Sequence, residues 1–214
     1  MHVAVIVSAG QGGSVSVAGP LRCATSVVVV QRDDHQTLAL AKADVAVLTC
    51  ALSATSPVAA AVHTFAERGS PVLGLGDGFA GLCSAGLLPG RFAASQGSET
   101  FPLSGYFRTE GRLTPFTAGI PAGRVLPVNW HAPHTYSCAS VIDIERGGQI
   151  IFRHCDAWAG VSAKHNPFAS TCAIAGLCSP RGNVLGVGAW LDLQAAPLLD
   201  QMFASVKLWI AQGS

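Results

Sequence analysis

Charged side chains are scarce in this sequence, and the few present nearly cancel. Asp, Glu, Lys and Arg make up 12% of the 214 residues, for a formal net charge of +1. No basic or acidic block occurs, which argues against nucleic acid and against an anionic membrane surface as partners. No apolar run approaches the roughly 20 residues that span a bilayer. The opening Met1-His2-Val3-Ala4-Val5-Ile6-Val7 lacks the basic start of a signal peptide and reads as a strand. The seven cysteines are odd in number and contain no C-x-x-C pair, which weakens metal-ribbon and redox-motif readings. They read as free thiols in a reducing, intracellular compartment. With so little charge, much of the surface must be neutral or covered by a partner.

What the chain does have is apolar runs separated by glycine. Val3–Val7, Ser26–Val30, Asp44–Thr49 and Val72–Leu75 have the continuous apolar texture of buried parallel strands. Pro57 suits the first turn of a helix in which Val58, Val62 and Phe65 recur, and Gly69 stops it. His63 on that helix reads as a surface or half-buried histidine. Gly10, Gly12 and Gly13 do not fit dinucleotide spacing, and Asp33 and Asp34 read as a solvated loop. After Gly90 shorter segments follow: Tyr106–Thr109, Arg124–Val128, Ser140–Ile144, Gln149–Arg153, Thr171–Cys178 and Asn183–Val187. Ser179-Pro180-Arg181-Gly182-Asn183 reads as a hairpin turn. Leu193 to Ile210 predicts a closing helix with Leu198, Leu199, Met202, Phe203, Val206 and Ile210 at core spacing. The whole predicts one α/β domain over residues 1–214: a central, mostly parallel sheet flanked by helices, with antiparallel strands added in the C-terminal half.

The chemistry should sit at residues 74–78. Gly74-Leu75-Gly76-Asp77-Gly78 has the local form of a nucleophile elbow, G-x-Nu-x-G, a sharp strand-to-helix turn that holds a reactive side chain over the sheet. Here the nucleophile position is Gly76, which has no side chain.

From residue 72 to about 192 the chain resembles the class I glutamine amidotransferase domain of formylglycinamidine ribonucleotide (FGAM) synthase, a purine-biosynthesis enzyme. The resemblance rests on Val72-Leu73-Gly74-Leu75-Gly76-Asp77-Gly78-Phe79, Ala85-Gly86-Leu87-Leu88-Pro89-Gly90, Thr114-Pro115-Phe116-Thr117 and Phe152-Arg153-His154-Cys155-Asp156. It extends through Asn166-Pro167, Ile174-Ala175-Gly176-Leu177-Cys178 and Gly182-Asn183-Val184-Leu185-Gly186. It implies the flavodoxin-like fold of that class and a Cys–His–Glu triad in which a thiolate attacks the glutamine amide. In this chain the three positions hold Gly76, Trp190 and Asp192. The oxyanion strand, glycine-rich in the family, reads Thr49-Cys50-Ala51-Leu52-Ser53, and the family's H-G-E-G segment has become His131-Ala132-Pro133-His134.

Replacement residues are few. Cys50, with His131 or His134, offers an improvised Cys/His dyad. Cys83 lies about two turns past the elbow and reads as a small buried hydrophobe. Asp77 reads as a helix-start carboxylate. His131, His134 and His154 with Cys155 or Asp156 have poor metal-ligand spacing, so no metal and no cofactor is expected. Trp190 reads as an apolar plug. The leading expectation is a catalytically inactive amidotransferase-like domain that docks to an FGAM synthetase-like domain or subunit, or to a host protein. The host case follows from a further resemblance, to the degenerate synthetase-like tegument proteins of gammaherpesviruses, and would place the chain in the virion or host nucleus rather than the cytoplasm. The alternatives are an active glutaminase using Cys50 to supply ammonia, and a small-molecule sensor using the vacated pocket.

Overall fold

Alternate residues of the first strands go to opposite sides of one sheet. In the computed structural model, Val3, Val5 and Val7 of β1 (His2–Val7) join one buried cluster, and Ala4 and Ile6 join another. The structure describes residues 1–8, 24–31, 38–94, 104–111, 114–129, 134–188 and 196–213. The glycine loop at 10–13, Asp33, Asp34, His131, Trp190 and Asp192 lie outside the described residues.

The first half alternates strand and helix. β1 is followed by β2 (Ser26–Gln31), α1 (Leu38–Ala41), β3 (Val45–Leu48), α2 (Pro57–Glu67), β4 (Val72–Leu75) and α3 (Asp77–Ser84). The α2 boundaries follow from local chemistry. Ser56 Oγ accepts the Ala59 N–H at 3.0 Å, Pro57 fills the first turn, and Gly69 leaves the helix at φ 86°. The second half contributes β5 (Arg91–Ala94), β6 (Ser104–Thr109), β7 (Val125–Asn129), β8 (His134–Ser137), α4 (Val141–Gly147), β9 (Gln149–Cys155), β10 (Ile174–Cys178), β11 (Val184–Val187) and α5 (Ala196–Gly213).

Nine of these strands form one sheet in the order β2-β1-β3-β4-β11-β10-β9-β6-β7. The first five run parallel, and β10, β9, β6 and β7 are added antiparallel. β5 and β8 pair separately. On one face Val3, Val5, Val45, Val47, Leu73 and Leu75 pack with Leu199, Met202, Phe203 and Val206 of α5. On the other, Ile6, Leu48 and Val72 pack with Val58, Val62 and Phe65 of α2 and with Phe79 and Leu82 of α3.

Two expected segments differ. Ser140–Ile144 is helical, because Ser140 Oγ accepts the Ile142 N–H at 3.1 Å and so starts α4. Its β-branched Val141 and Ile142 stay 50% and 56% exposed, so strand propensity had no partner strand to satisfy it. Thr171–Ala173 is a 3-10 turn, and β10 begins only at Ile174. The hairpin at 179–183 forms as expected between β10 and β11, with Gly182 at φ 81° and its N–H bonded to Ser179 O at 2.9 Å.

Asn183 ties that hairpin to the rest of the fold. Its buried Nδ2 donates to Ala66 O at 2.7 Å, at the end of α2, and to Ser70 O at 3.1 Å, at the entry to β4. Asn183→Ala should cost about 1–3 kcal/mol by leaving buried carbonyls unbonded. Urea unfolding checks this, and an unchanged midpoint would refute it.

Candidate functional site: an elbow without a nucleophile

Gly76 occupies the turn between β4 and α3. It is buried, sits at φ 53° and ψ −114°, and caps the N-terminus of α3. Side chains rarely adopt this backbone geometry, and it costs a non-glycine residue about 1–3 kcal/mol. The turn is pinned from both sides. Gly76 N–H donates to Val187 O, at the end of β11, at 2.9 Å, and Gly76 O accepts the Phe79 N–H at 3.0 Å.

The flanking glycines are explained by packing. A Cβ on Gly74 would lie 2.7 Å from the Gly78 carbonyl and from Leu82 Cδ1, and one on Gly78 would lie 2.0 Å from Leu48 O. The helix therefore sits on the strands through bare backbone. Phe79 lies across Gly186 of β11, where a Cβ would come 2.1 Å from its ring, and stacks on Phe92 at 4.6 Å and Tyr136 at 5.7 Å. The strand-to-helix turn is thus tightly packed, and its tip residue, Gly76, carries only a hydrogen.

Cys50 follows the end of β3 by two residues, and its carbonyl would lie 2.9 Å from a Cβ on Gly81 of α3. Its sulfur turns toward β1. Sγ lies 3.8 Å from Ile6 O of β1, on the side of β3 opposite β4, and the residue is 3% exposed within the core. Ala51 beside it is exposed. His134 opens β8, paired with Ala94 of β5. Asp77 is half-buried in the first turn of α3, where a carboxylate suits the helix dipole.

The other candidate groups are packed into the interior or bonded within their own turns. His154 is 3% exposed, with Phe107 and Phe168 edge-on at 5.4 and 5.8 Å, and burial pushes its pKa down to about 4. Cys83 lies 3.9 Å from Pro89 O, and burial raises its thiol to about 12. Burial likewise raises Cys155 to about 11 and Cys178 to about 12. These thiols stay protonated at neutral pH and are poor nucleophiles. Asp156 bonds backbone N–H groups of its own turn. His63 is exposed, 3.4 Å from Glu67. Among the described residues no three His, Cys, Asp or Glu side chains gather to hold a metal ion.

Sequence reasoning missed the segment after β9. Arg108 and Arg153 share the Glu110 carboxylate, at 2.7 and 3.3 Å. Their outer nitrogens hold two points of the following segment, Ala159 O at 3.0 Å and Cys172 O. The available signal was Asp156-x-Trp158-x-Gly160, an acid followed by turn-forming residues.

The fold is that of the class I glutamine amidotransferases. The chain superposes on a chain of the PurLQS structure from Thermotoga maritima with a TM-score of 0.75, at 20% identity and 98% coverage of both chains. On the glutaminase domain of Trypanosoma brucei CTPS with bound acivicin the TM-score is 0.68, at 12% identity over 97% of this chain and 94% of that one. In sequence it is similar to the phosphoribosylformylglycinamidine synthase subunit PurQ. It is 37% identical to that subunit of Rhodopseudomonas palustris over 140 residues, 64% of this chain and 60% of the relative. The Thermomicrobium roseum subunit is 36% identical over 140 residues, covering 64% of this chain and 59% of that protein. The chain thus spans about 60% of the length of the curated relatives it matches. No protein-family model matches it. No helix among the described residues is long and apolar enough to cross a membrane.

Proposed function

We propose that this chain is a glutamine amidotransferase-like domain that has lost glutamine hydrolysis and acts by docking on a synthetase-like subunit. One observation carries the reading: Gly76 holds the elbow position at φ 53° with no side chain to attack an amide. A covalent acyl-enzyme needs a nucleophile there. Trp190 and Asp192 in the histidine and acid positions agree with it. So does Cys50, whose sulfur faces the core beside Ile6. We read residues 1–214 as one domain.

The partner follows from similarity. The relatives are named as a subunit of phosphoribosylformylglycinamidine synthase, and the matched structure is that of PurLQS. The subunits of Rhodopseudomonas palustris, Koribacter versatilis and Thermomicrobium roseum that it resembles are bacterial, which favours a synthetase-like subunit over the viral reading with a host partner.

Purified chain, alone and mixed with the synthetase-like subunit of its own organism, is assayed for glutamate release from glutamine. The expected rate equals the uncatalysed background. Turnover above background that disappears in Cys50→Ala would overturn the reading in favour of an active glutaminase with a displaced thiol.

A further inference from the structure

Trp158 is 91% exposed, while most other large apolar side chains among the described residues are covered. It stands on a turn built to be rigid. Asp156 Oδ1 accepts the N–H of Trp158 at 2.8 Å and of Gly160 at 2.7 Å, while Asp156 N–H donates to Gly160 O at 3.0 Å. Ala159, next to the indole, is at φ 68°, and its carbonyl is held by Arg108 Nη1 at 3.0 Å. Further along, Thr135 Oγ1 donates to Phe168 O at 2.7 Å and Tyr136 N–H to Ser170 Oγ at 3.1 Å, so β8 fastens the rest of the segment.

The placement matters as much as the rigidity. β10 is antiparallel to both β11 and β9, so β9 runs in the direction of β4 and β11. Its end at Cys155 therefore lies at the same edge of the sheet as Val187 and the buried turn at Gly76. Ser162, His165 and Asp156 do not form a catalytic relay there, because Ser162 Oγ and Asp156 Oδ2 both approach His165 Nδ1, at 3.0 and 3.6 Å. The Asp156 charge is thus taken up inside the turn. What the segment offers outward includes the Trp158 indole and the exposed residue Lys164.

We propose that the Asp156–Gly160 turn is the anchor through which this chain docks on the synthetase-like subunit, with Trp158 entering an apolar slot rimmed by a carboxylate that meets Lys164. This rests on the docking reading above and locates its surface. An exposed tryptophan on an ordered turn loses little freedom on binding, and such anchors dominate interface energies.

The test measures the dissociation constant of the full chain with the purified synthetase-like subunit of the same organism. Trp158→Ala should weaken binding about 30-fold, and Trp158→Phe should recover most of the loss. Trp209→Ala, at a 48% exposed site on α5, should change nothing. Lys164→Glu should weaken binding at low salt and less at high salt. If the wild-type chain binds and Trp158→Ala binds equally well, this surface is wrong while the docking reading stands. A loss confined to Trp209→Ala would move the interface to α5. If the wild-type chain does not bind, the docking reading and this surface fail together.

Discussion

Gly78→Ala should destabilise the fold by more than about 4 kcal/mol and lower its melting temperature by well over ten degrees. The new methyl carbon would lie 2.0 Å from Leu48 O and 2.5 Å from Leu48 C, and both are backbone atoms of a central strand. Neither can swing aside as a side-chain end can, so α3 would have to lift off the sheet by more than an ångström. Lifting it separates Phe79 and Leu82 from Leu48 and Val62, and withdraws Phe79 from its stack with Phe92 and Tyr136. Overpacking alone typically costs about 1–3 kcal/mol. With the apolar packing under α3 opened as well, the expected total exceeds about 4 kcal/mol, against a usual stability of about 5–15. Gly86→Ala is the control. That residue is at φ 73° with no atom within 4 Å of the added carbon, so only backbone strain of about 1 kcal/mol should appear. Thermal melts read by circular dichroism check both, and a Gly78→Ala melt within a few degrees of wild type would refute the packing argument.

Acid should unfold this protein partly through one histidine. His154 is closed in by Phe107 and Phe168, with its pKa lowered from 6.5 to about 4 by burial. Above pH 6.5 the imidazole is neutral in both states, and the site contributes no pH dependence. Between 6.5 and about 4 the unfolded chain binds a proton that the folded chain refuses, so stability falls as the pH falls. The loss should reach about 2 kcal/mol at pH 5 and about 3 kcal/mol once both states are protonated. Carboxylates add their own acid sensitivity, so the comparison is with His154→Phe, which keeps the ring packing and cannot titrate. Urea midpoints at pH 8 and pH 5 should diverge more in the wild type than in the variant. Equal shifts in the two proteins would show that His154 is protonated in the folded state.

Local signals are legible where a single element settles the matter. The four apolar runs match β1 to β4 within a residue or two, and Pro57 and Gly69 bracket α2. The core positions expected of the last helix are those α5 buries wholly or, at Ile210, in part. Ser140–Ile144 misleads because β-branched residues suggest a strand, whereas one serine cap and the anchoring of Ile144 are enough for a short helix. The pairing of β5 with β8 has no local signature, since its strands lie far apart in the chain and meet only through the fold. The same holds for the Arg108–Glu110–Arg153 cluster, which cross-strand pairing of β6 and β9 assembles.

The sequence by itself determined what is missing: a glycine at position 76 has no side chain in any conformation, and that is a covalent fact. It also determined the alternation of strand and helix, because period and capping are properties of neighbouring residues. Only the tertiary structure decided that Gly76 sits in a positive-φ turn at the strand tip and that the Cys50 sulfur faces β1. It alone decided that His154 is shut between two phenylalanines, and that Trp158 stands out on a stapled turn. Each of these depends on which distant backbone and side-chain atoms come together, and no local pattern encodes that.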